Sequence, residues 1–498
     1  MSQFEIQVVD LLGTGPGRAG FIERHALWDD AEYAAAAQAL RVIDEHGIEL
    51  VRVAFADQHG VLRGKTLTRE AFGSALRDGV TAPSTLVLKD TAGCTIYPVF
   101  EAGGGPAGMA GASDIVLVPL PTTFRILPWS PRTAWVLCDI QLPDGSPVPF
   151  SARHLLRGHL AGLAERGLEL RVGIELEFHV LGASGDPLDA GMLGRPGEPG
   201  QAPATVPLTP GYQLLSEAAL DAVDETVQVL RDGLVALDLP LRTIEVEFGP
   251  SQLEVTFGPQ APLRAADDVV LCRSAIKQLC ARGGRHATFM ARPHLPNLAS
   301  SGWHLHQCLL GRDEGDNRFM APAGSDEPLS AVGRGYLAGL LAHARAASVF
   351  TTPTVNGYKR YKPYSLAPDR IVWGEDNKGA MVRSVGGPGD PATRLENRSG
   401  EPAANPYLYI ASQLVSGLDG IDSALDPGPA TDRPYGAEAD RLPASLMEAM
   451  AALRADRAFA ERFGSGYVEY FLTLKEAEVQ RYLAAVTDWE QREYFSLY

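Results

Sequence analysis

The first part of the chain alternates short apolar runs with turn residues. Residues 32–46 carry apolar side chains at helical spacing and predict a helix. The segment IELVRVAFAD, the turn Gln58-His59-Gly60 and the segment VLRGKTL have the pattern of a β-hairpin. Further strand-like runs follow at DIVLVPL and AWVLCDIQL. We therefore expect a small β-rich domain at residues 35–145. An N-terminal extension, residues 1–34, precedes it, and its GTGPGRAG stretch is typical of a loop.

From residue 146 to residue 498 helices and strands alternate more regularly. Helical periodicity is clear in DDVVLCRSAIKQLCARGG and in LSAVGRGYLAGLLAHARAAS, which we expect to form one helix each. Residues 184–212, 312–328 and 425–442 are rich in turn-forming residues and predict surface loops. The pattern predicts a second, larger domain and an α+β fold class.

Four strand-like segments of this larger domain each show a charged or polar face. Alternate side chains of a strand point to opposite sides of its sheet. In RVGIELEFHV this alternation places Glu175 and Glu177 together, opposite apolar neighbours. The other three segments are RTIEVEFGPSQLEVTF, with Glu245, Glu247 and Glu254; SGWHLHQCLL, with His304, His306 and Cys308; and TRLENRSG, with Arg394, Glu396 and Arg398.

One such strand alone is more typical of a solvent-exposed face, but four of them indicate a site. None of the four polar faces carries a lysine, which an ordinary wet surface would include. Carboxylates with an occasional imidazole suit a hard divalent cation such as Mg²⁺ or Mn²⁺. Neighbouring arginines suit phosphate, so the combination is typical of phosphoryl transfer. The sequence contains neither GxxxxGK[ST] nor GxGxxG leading into a helix, which argues against a P-loop or Rossmann nucleotide site.

Composition and charge narrow the function classes. The 498 residues have a formal net charge of −17, which argues against nucleic acid as the main partner. The five cysteines are scattered without CxxC spacing, which argues against a disulfide framework and a zinc knuckle. The apolar runs are too short to span a membrane, and MSQFEIQVVDLL lacks the features of a secretory signal. We expect a cytoplasmic protein with no membrane or nucleic-acid partner.

Several motifs, in the same order, resemble those of the glutamine synthetase superfamily. They are IELEF, EFGPSQLE, SGWHLHQ, NGYKRYKPYSLAPDRIVWGEDNKGAMVRS, TRLENRSGEPAANPYLYIASQLVSGLDGI and TDWEQREY. The likeness covers roughly residues 45–498. It implies a small β-grasp N-terminal domain and a catalytic domain with a curved antiparallel sheet flanked by helices. It also implies a homo-oligomer, a dodecamer of two stacked hexameric rings, with active sites shared between neighbouring subunits.

The resemblance implies a role for each residue that matches a family motif. Two to three Mg²⁺ or Mn²⁺ ions per site would be held by six ligands: Glu177, Glu247 and Glu254 at the first metal, and Glu175, His304 and Glu396 at the second. Glu245 lies on the same face, but the spacing to Glu254 favours Glu247. The ATP-binding residues would be His306, Cys308, Arg383 and Arg394.

The remaining roles concern glutamate and the amine. Arg360 and Arg398 would hold glutamate and its phosphorylated carboxylate, and Ser300 and Gly302 would line the glutamate pocket. Lys378 would act near the reacting carboxylate. Asp57, in FADQHG, would help to bind and deprotonate an amine in the neighbouring subunit's site.

One departure from the family pattern concerns the nucleophile. In glutamine synthetases the loop after KR ends in Glu-Ala-Pro, and that glutamate helps to bind ammonium. Here the matching residues are Leu366-Ala367-Pro368. A leucine offers an apolar wall instead of the anionic partner that a desolvated ammonium ion needs. We therefore expect an organic amine to bind next to Leu366, as in superfamily members that make γ-glutamyl amides of polyamines, anilines or ethanolamine.

Two smaller departures and two alternatives stay open. Lys378 replaces a usual arginine, so an acid related to glutamate is an alternative acyl donor. Cys308 replaces a common serine near the adenine, and its ordinary interpretation is a small buried residue. The leading hypothesis is an ATP-dependent glutamate–amine ligase that works through a γ-glutamyl phosphate. The alternatives are an ordinary glutamine synthetase that uses ammonia, and a non-catalytic structural or regulatory member of the superfamily.

Overall fold

A computed structural model of the protein describes residues 19–185 and 188–498. Most of the N-terminal extension, including most of the GTGPGRAG stretch, lies outside these residues. In the described part of the chain, no helix combines the length and apolar character needed to cross a lipid bilayer.

The N-terminal part is a six-stranded mixed sheet with helices packed beside it. Its helices are α1 (Phe21–Arg24), α2 (Asp30–Glu45) and α3 (Arg69–Asp78). Its strands are β1 (Leu50–Ala56), β2 (Leu62–Thr68), β3 (Val80–Pro83), β4 (Asp114–Pro119), β5 (Arg125–Ile126) and β6 (Thr133–Gln141). The strand order is β2-β1-β6-β4-β3, with β5 beside β6. The hairpin expected around Gln58-His59-Gly60 is confirmed, because β1 and β2 pair antiparallel from Leu50–Thr68 to Ala56–Leu62.

The C-terminal part is built on a nine-stranded curved sheet. Its strands are β7 (Leu168–Ala183), β8 (Thr205–Val206), β9 (Leu241–Val246), β10 (Gln252–Gln260), β11 (Arg285–Thr288), β12 (Trp303–Gly311), β13 (Trp373–Glu375), β14 (Val382–Val385) and β15 (Arg394–Gly400). The strand order is β13-β14-β15-β12-β7-β10-β9, with β8 and β11 also paired to β7. All pairs are antiparallel except β13 with β14.

The C-terminal part also contains helices, several of which pack against this sheet. They are α4 (Ala152–Glu165), α5 (Glu217–Asp221), α6 (Asp224–Ala236), α7 (Pro262–Arg282), α8 (Ala331–Ala342), α9 (Ala344–Thr351), α10 (Pro406–Asp422), α11 (Leu446–Ala455), α12 (Arg457–Phe459), α13 (Ser465–Ala484) and α14 (Asp488–Tyr494). The apolar side of the alternating strands, including Ile174, Leu176 and Trp303, is almost wholly buried. Each such side chain contributes about 1.5–3 kcal/mol by leaving water. The α+β class and the curved sheet agree with the expectation from the sequence.

The segment expected to form one helix at residues 329–348 is two helices. Helix α8 ends at Ala342, and α9 begins at Ala344, with His343 between them as the cap residue of both. The His343 ring makes hydrogen bonds to Asp419 Oδ2 (2.9 Å) and Asp456 Oδ2 (2.7 Å), which hold it between two neighbouring helical segments. The apolar periodicity continues through the break, so the sequence pattern alone could not reveal it.

Candidate active site

The register of the central strands brings the charged side chains together. Glu177 on β7 lies opposite Glu254 on β10, and Glu175 on β7 lies opposite His304 on β12. On its other side β12 pairs with β15, which places His306 opposite Glu396. The polar faces expected from alternation therefore form one continuous surface at the middle of the sheet.

Five residues form two overlapping groups that could hold cations. Glu175, His304 and Glu396 form one group, and Glu177, Glu254 and His304 form the other, each with its ligand atoms within 4.8 Å of one another. His304 belongs to both. Its Nδ1 lies 3.1 Å from Glu175 Oε2 and 3.7 Å from Glu396 Oε1, whereas its Nε2 lies 3.7 Å from Glu177 Oε1.

Neighbouring groups fix the orientation of the Glu177 carboxylate. Its Oε2 accepts hydrogen bonds from Gln252 Nε2 (2.8 Å) and from the Gly302 backbone N–H (2.9 Å). The Gln252 amide also donates to Ser301 Oγ at 3.0 Å. The other oxygen, Glu177 Oε1, therefore faces His304. A carboxylate that hydrogen bonds hold at one oxygen can bind a cation through the other.

The charge balance of the site also fits divalent cations. Burial, together with nearby Glu177 and Glu175, raises the pKa of Glu254 to about 10. Burial and Glu247 raise the pKa of Glu177 to about 7. Burial and the Arg398 charge lower the pKa of His304 to about 4, which keeps its ring neutral near pH 7 with a lone pair available for a ligand bond. Carboxylates with raised pKa values around a neutral imidazole are a donor set that a bound Mg²⁺ or Mn²⁺ would stabilise.

The pKa values of Glu175 and Glu396 are lowered, in contrast to those of Glu177 and Glu254, because basic groups surround both carboxylates. Burial opposes ionisation of Glu175, but hydrogen bonds with His304 and His306 hold its pKa well below the usual range. Glu396 is fully buried, and Arg398 outweighs its burial and lowers its pKa. Both groups are therefore ionised near neutral pH.

A β-bulge in β15 positions two arginines beside the carboxylates. Between the paired residues Trp303–Gly400 and Leu305–Asn397, both Arg398 and Ser399 face the single residue His304. The backbone carbonyls of Arg398 and Ser399 accept hydrogen bonds from the buried Arg360 guanidinium at 2.9 and 3.0 Å. Arg398 pairs with Glu396, and among the described residues its Nε has no hydrogen-bond partner. A buried, unpaired guanidinium N–H is suited to an anionic ligand.

Two cavities open from this surface and share part of their lining. We call the cavity of about 520 Å³ the acid-side cavity. Its lining includes all of the following candidate residues: Glu175, Glu177, Glu247, Glu254, Ser300, His304, Arg360, Leu366, Lys378, Arg383 and Arg398. The other cavity, of about 600 Å³, is the nucleotide-side cavity, and His306, Cys308 and Arg394 line it. Glu175, Glu245 and Thr256 line both.

The nucleotide-side cavity combines basic and apolar groups. Arg394 Nε donates to His306 Nδ1 at 3.2 Å, so His306 Nε2 carries the proton and donates to Glu175 Oε1 at 2.8 Å. Arg171 and Arg242 add positive charge, and Phe257 and Leu310 add apolar surface. Arg383, expected with this set, lines the acid-side cavity instead and bonds Glu396 Oε2 at 2.9 Å.

Three further candidates from the sequence are Ser300, Gly302 and Asp57, and each lies in a different environment. Ser300 lines the acid-side cavity and accepts a hydrogen bond from Arg292 Nη1 at 2.9 Å. Gly302 lies against Arg360, because a Cβ at this position would be 2.5 Å from Arg360 Nη2. Asp57 is buried at the start of the β1–β2 turn, where its carboxylate accepts from the Val61 N–H and from Arg63 Nε, each at 2.9 Å. In the described chain it lines neither of the two cavities.

The sequence analysis set Glu245 aside in favour of Glu247 and did not select Gln252, although both residues lie on the polar face of a strand. Glu245 lies opposite Glu254 in the β9–β10 pair and lines both cavities, whereas Glu247 lies just beyond the end of β9 and lines only the acid-side cavity. Of the residues the structure describes, neither belongs to the two tight ligand groups. Gln252 shares the polar face of β10 with Glu254, and that shared face is the feature that could have identified it.

Comparisons with known proteins identify the family of this chain. Residues 149–494 match the family model described as "Glutamine synthetase, catalytic domain". The chain is 43% identical over 495 residues to a γ-glutamylanilide synthase from Acinetobacter sp, covering 96% of this chain and 99% of the relative. It is 32% identical to a glutamine synthetase from Thermotoga maritima, covering 92% and 98%. A solved structure named GmaS/ADP complex aligns with a TM-score of 0.75 at 29% identity, covering 92% of this chain and 99% of that one.

Proposed function

Because the chain belongs to the glutamine synthetase family, we propose that it is an ATP-dependent ligase that joins the γ-carboxylate of glutamate to an organic amine. The reaction passes through γ-glutamyl phosphate and releases ADP and phosphate. The observation that carries the proposal is the composition of the acid-side cavity. Its inner part holds the carboxylates, imidazole and arginines of a phosphoryl-transfer site, whereas its loop at residues 365–367 presents Leu366 where the family pattern has a glutamate.

The inner part of the cavity supports activation of glutamate. Arg360 and Arg398 would bind the substrate carboxylates, and Lys378 would offset charge near the reacting one. Mg²⁺ or Mn²⁺, two to three per site, would be held by Glu177, Glu247 and Glu254 and by Glu175, His304 and Glu396. When bound, these cations would neutralise charge between ATP and glutamate. His306, Cys308 and Arg394 would hold the nucleotide in the nucleotide-side cavity, with Arg383 near the transferred phosphoryl group.

The chemical reason for the ATP step is the leaving group. A free carboxylate is a poor acyl donor, because its departing group would be oxide. Attack of the γ-carboxylate on the γ-phosphate of ATP replaces that group with phosphate. An amine then attacks the acyl carbon, and the C–O bond to phosphate breaks. Water would hydrolyse the same intermediate, so a site that excludes water from the acyl phosphate favours the amide product.

The proposal includes the assembly implied by the family. We place Asp57 at the amine of a neighbouring subunit's site, in a dodecamer of two stacked hexameric rings. Two features support this position. Asp57 is held rigidly by three hydrogen bonds at the turn of the first hairpin, and it lies outside the cavities of its own chain.

Phosphate release from ATP tests the function directly. Purified protein with glutamate and Mg²⁺ would be given ammonia, aniline, isopropylamine or ethanolamine in turn. We expect amide formation and phosphate release with at least one organic amine at a higher kcat/KM than with ammonia. Release with ammonia alone would establish the ordinary glutamine synthetase instead. Absence of release with every amine would favour a non-catalytic member or a different acyl donor.

Exchange of the loop leucine tests the nucleophile. In the variant Leu366→Glu we expect kcat/KM to shift toward ammonia and away from the organic amine, because a carboxylate gives the ammonium ion its missing partner. Leu366→Met, which keeps an apolar side chain of similar volume, is the matched control and should keep the original preference. Unchanged use of the organic amine by Leu366→Glu would show that this residue does not line the amine site.

A further inference from the structure

Side chains of the C-terminal part hold the β1–β2 turn, residues 57–60. Asn405 Nδ2 donates hydrogen bonds to the backbone carbonyls of Asp57 (3.1 Å) and Gln58 (3.2 Å). Arg273 Nη2 donates to the carbonyl of Gly60 at 2.9 Å. Three of the four backbone carbonyls in the turn therefore accept a hydrogen bond from the C-terminal part of the chain.

Asn405 also caps a helix, and the cap does not need its amide N–H groups. Its Oδ1 accepts a hydrogen bond from the Tyr407 N–H (3.1 Å) at the start of α10, while its Nδ2 bonds the turn. Asparagine, serine and aspartate cap helices about equally well. Of the three, only asparagine has N–H donors on its side chain. The helix alone therefore gives no reason for an asparagine at this position, whereas the turn does.

Arg273 is a buried charge that no carboxylate neutralises. It is 8% exposed, and burial lowers its pKa to about 10. Its Nη1 donates to the carbonyls of Pro402 (2.9 Å) and Ala404 (2.8 Å), and in the described chain it forms no ion pair. Burial of a charge without an anion costs free energy. A guanidinium offers in return a rigid planar fork, which here binds the carbonyls of two separate segments at once.

Close packing further restricts the turn. Gly60 has φ 70°, and a Cβ at this position would lie 2.8 Å from Arg273 Nη2. A second set of hydrogen bonds joins the turn to the N-terminal part, because Gln58 Nε2 and His59 Nε2 (3.0 Å) both donate to the Lys89 carbonyl. The turn is thus fixed to both parts of the chain, and the carboxylate that it carries is fixed with it.

The same hydrogen bonds connect the turn with a strand of the candidate active site. Pro402, Ala404 and Asn405 closely follow the end of β15, the strand that carries Glu396 and Arg398. Neither Arg273 nor Asn405 lines the acid-side or the nucleotide-side cavity in the described chain. An effect of these two residues on the reaction would therefore have to pass through the groups that they hold.

We propose that Arg273 and Asn405 are positioning residues for the amine step, and that they act through Asp57 in the neighbouring subunit's site. The inference rests on the proposed ligase function and on its shared sites. The two residues hold the turn, and the turn holds the Asp57 carboxylate at the place where the amine would bind. A misplacement of about 1 Å in a reacting geometry can lower a rate by about 100-fold, even when the altered residue is far from the chemistry.

The variant Asn405→Ser keeps the helix cap and removes both donors to the turn. With whichever of ammonia, aniline, isopropylamine and ethanolamine the wild type uses best, kcat/KM for the amine should fall at least about tenfold. The KM values for ATP and glutamate should change less than about twofold. Oxygen exchange between the bridging and non-bridging positions of the ATP phosphates, which reports reversible formation of the acyl phosphate, should be retained.

Two further variants complete this comparison. Arg273→Lys keeps the charge and loses the fork, so it should show the same pattern as Asn405→Ser. Ser445→Ala removes the cap of α11 and leaves the turn intact, so as the control it should keep every constant within about twofold. An unchanged kcat/KM for the amine in the first two variants would overturn the proposal and leave the ligase function intact. An equal loss of oxygen exchange would show a general loss of structure and would also overturn it. Amide formation by the wild type with none of the four amines would overturn the ligase function, and the positioning role with it.

Mixed oligomers identify the site in which the two residues act. Asn405→Ser, dissociated and reassembled with an equal amount of Glu396→Ala, should form about a quarter of its sites from an intact Glu396 and an intact neighbouring turn. The same mixture with Asp57→Asn should give no such recovery, because both variants alter the turn that reaches the neighbour. Recovery with Asp57→Asn, or no recovery with Glu396→Ala, would overturn the proposal.

Discussion

Binding of Mn²⁺ to the metal-free protein should release protons, because two of the candidate ligands have raised pKa values. Burial and neighbouring carboxylates raise the pKa of Glu254 to about 10 and that of Glu177 to about 7. A cation must displace the protons that these groups carry before it can bind their oxygens. At pH 8 Glu254 is protonated and Glu177 mostly ionised, which predicts release of about one proton, rising to about 1.5 at pH 7.

The sign of the pH dependence follows from the same linkage. Protons compete with the cation, so the affinity for Mn²⁺ should rise with pH, by about tenfold per pH unit where one proton is released. Isothermal titration calorimetry in buffers of different ionisation enthalpy measures the proton count directly. The variant Glu254→Gln should lower the count by about one, because it removes the group with the highest pKa. Glu217→Gln, an exposed site outside the cavity, is the control. A count of zero in the wild type, or an equal count in Glu254→Gln, would refute the assignment of these two carboxylates to one cation.

Three further variants test other parts of the site. Glu396→Ala should abolish phosphate release, and it should cost about 3–5 kcal/mol in the free energy of unfolding measured with urea, because it leaves the buried Arg398 without its ion-pair partner; retained activity would contradict its place in the second metal site. Gly302→Ala should raise KM for glutamate with little effect on KM for ATP, because the added Cβ would displace Arg360; equal changes in both constants would point to a general loss of structure. Asp57→Asn should be inactive alone, but an equal mixture dissociated and reassembled with Glu396→Ala should regain about a quarter of the wild-type activity if each site joins two subunits; no recovery, with normal assembly confirmed by mass, would argue against shared sites.

The sequence predicted which side chains share a face but not which strands lie side by side. Strict alternation placed Glu175 with Glu177 and His304 with His306, and the structure confirms both pairs on one surface. The pairing of Glu177 with Glu254 depends on strand register, which turn geometry and the packing of the opposite face determine. A single sequence contains no direct measure of that register.

Local irregularities explain most of what the pattern could not reveal. The bulge at Arg398 and Ser399 places two residues opposite His304, and it turns two backbone carbonyls toward Arg360. Bulges arise where the wider structure requires them and leave little trace in apolar periodicity. The same holds for Leu215 and Leu366, because leucine itself has no preference for a left-handed backbone and nothing in the residue type signals it.

The shared lining of the two cavities has a consequence for the order of events. Glu175, Glu245 and Thr256 line both cavities and form the junction between them; under the proposed function, the nucleotide would bind on one side of this junction and the acid and amine on the other. With ADP in the nucleotide-side cavity, solvent would then reach the acyl phosphate through the acid-side cavity, whose lining includes Leu214, Leu215 and Leu366. The leucines next to the amine would then also limit the access of water to the acyl phosphate. ATP consumption without amide formation would measure how often water hydrolyses the acyl phosphate before the amine attacks it.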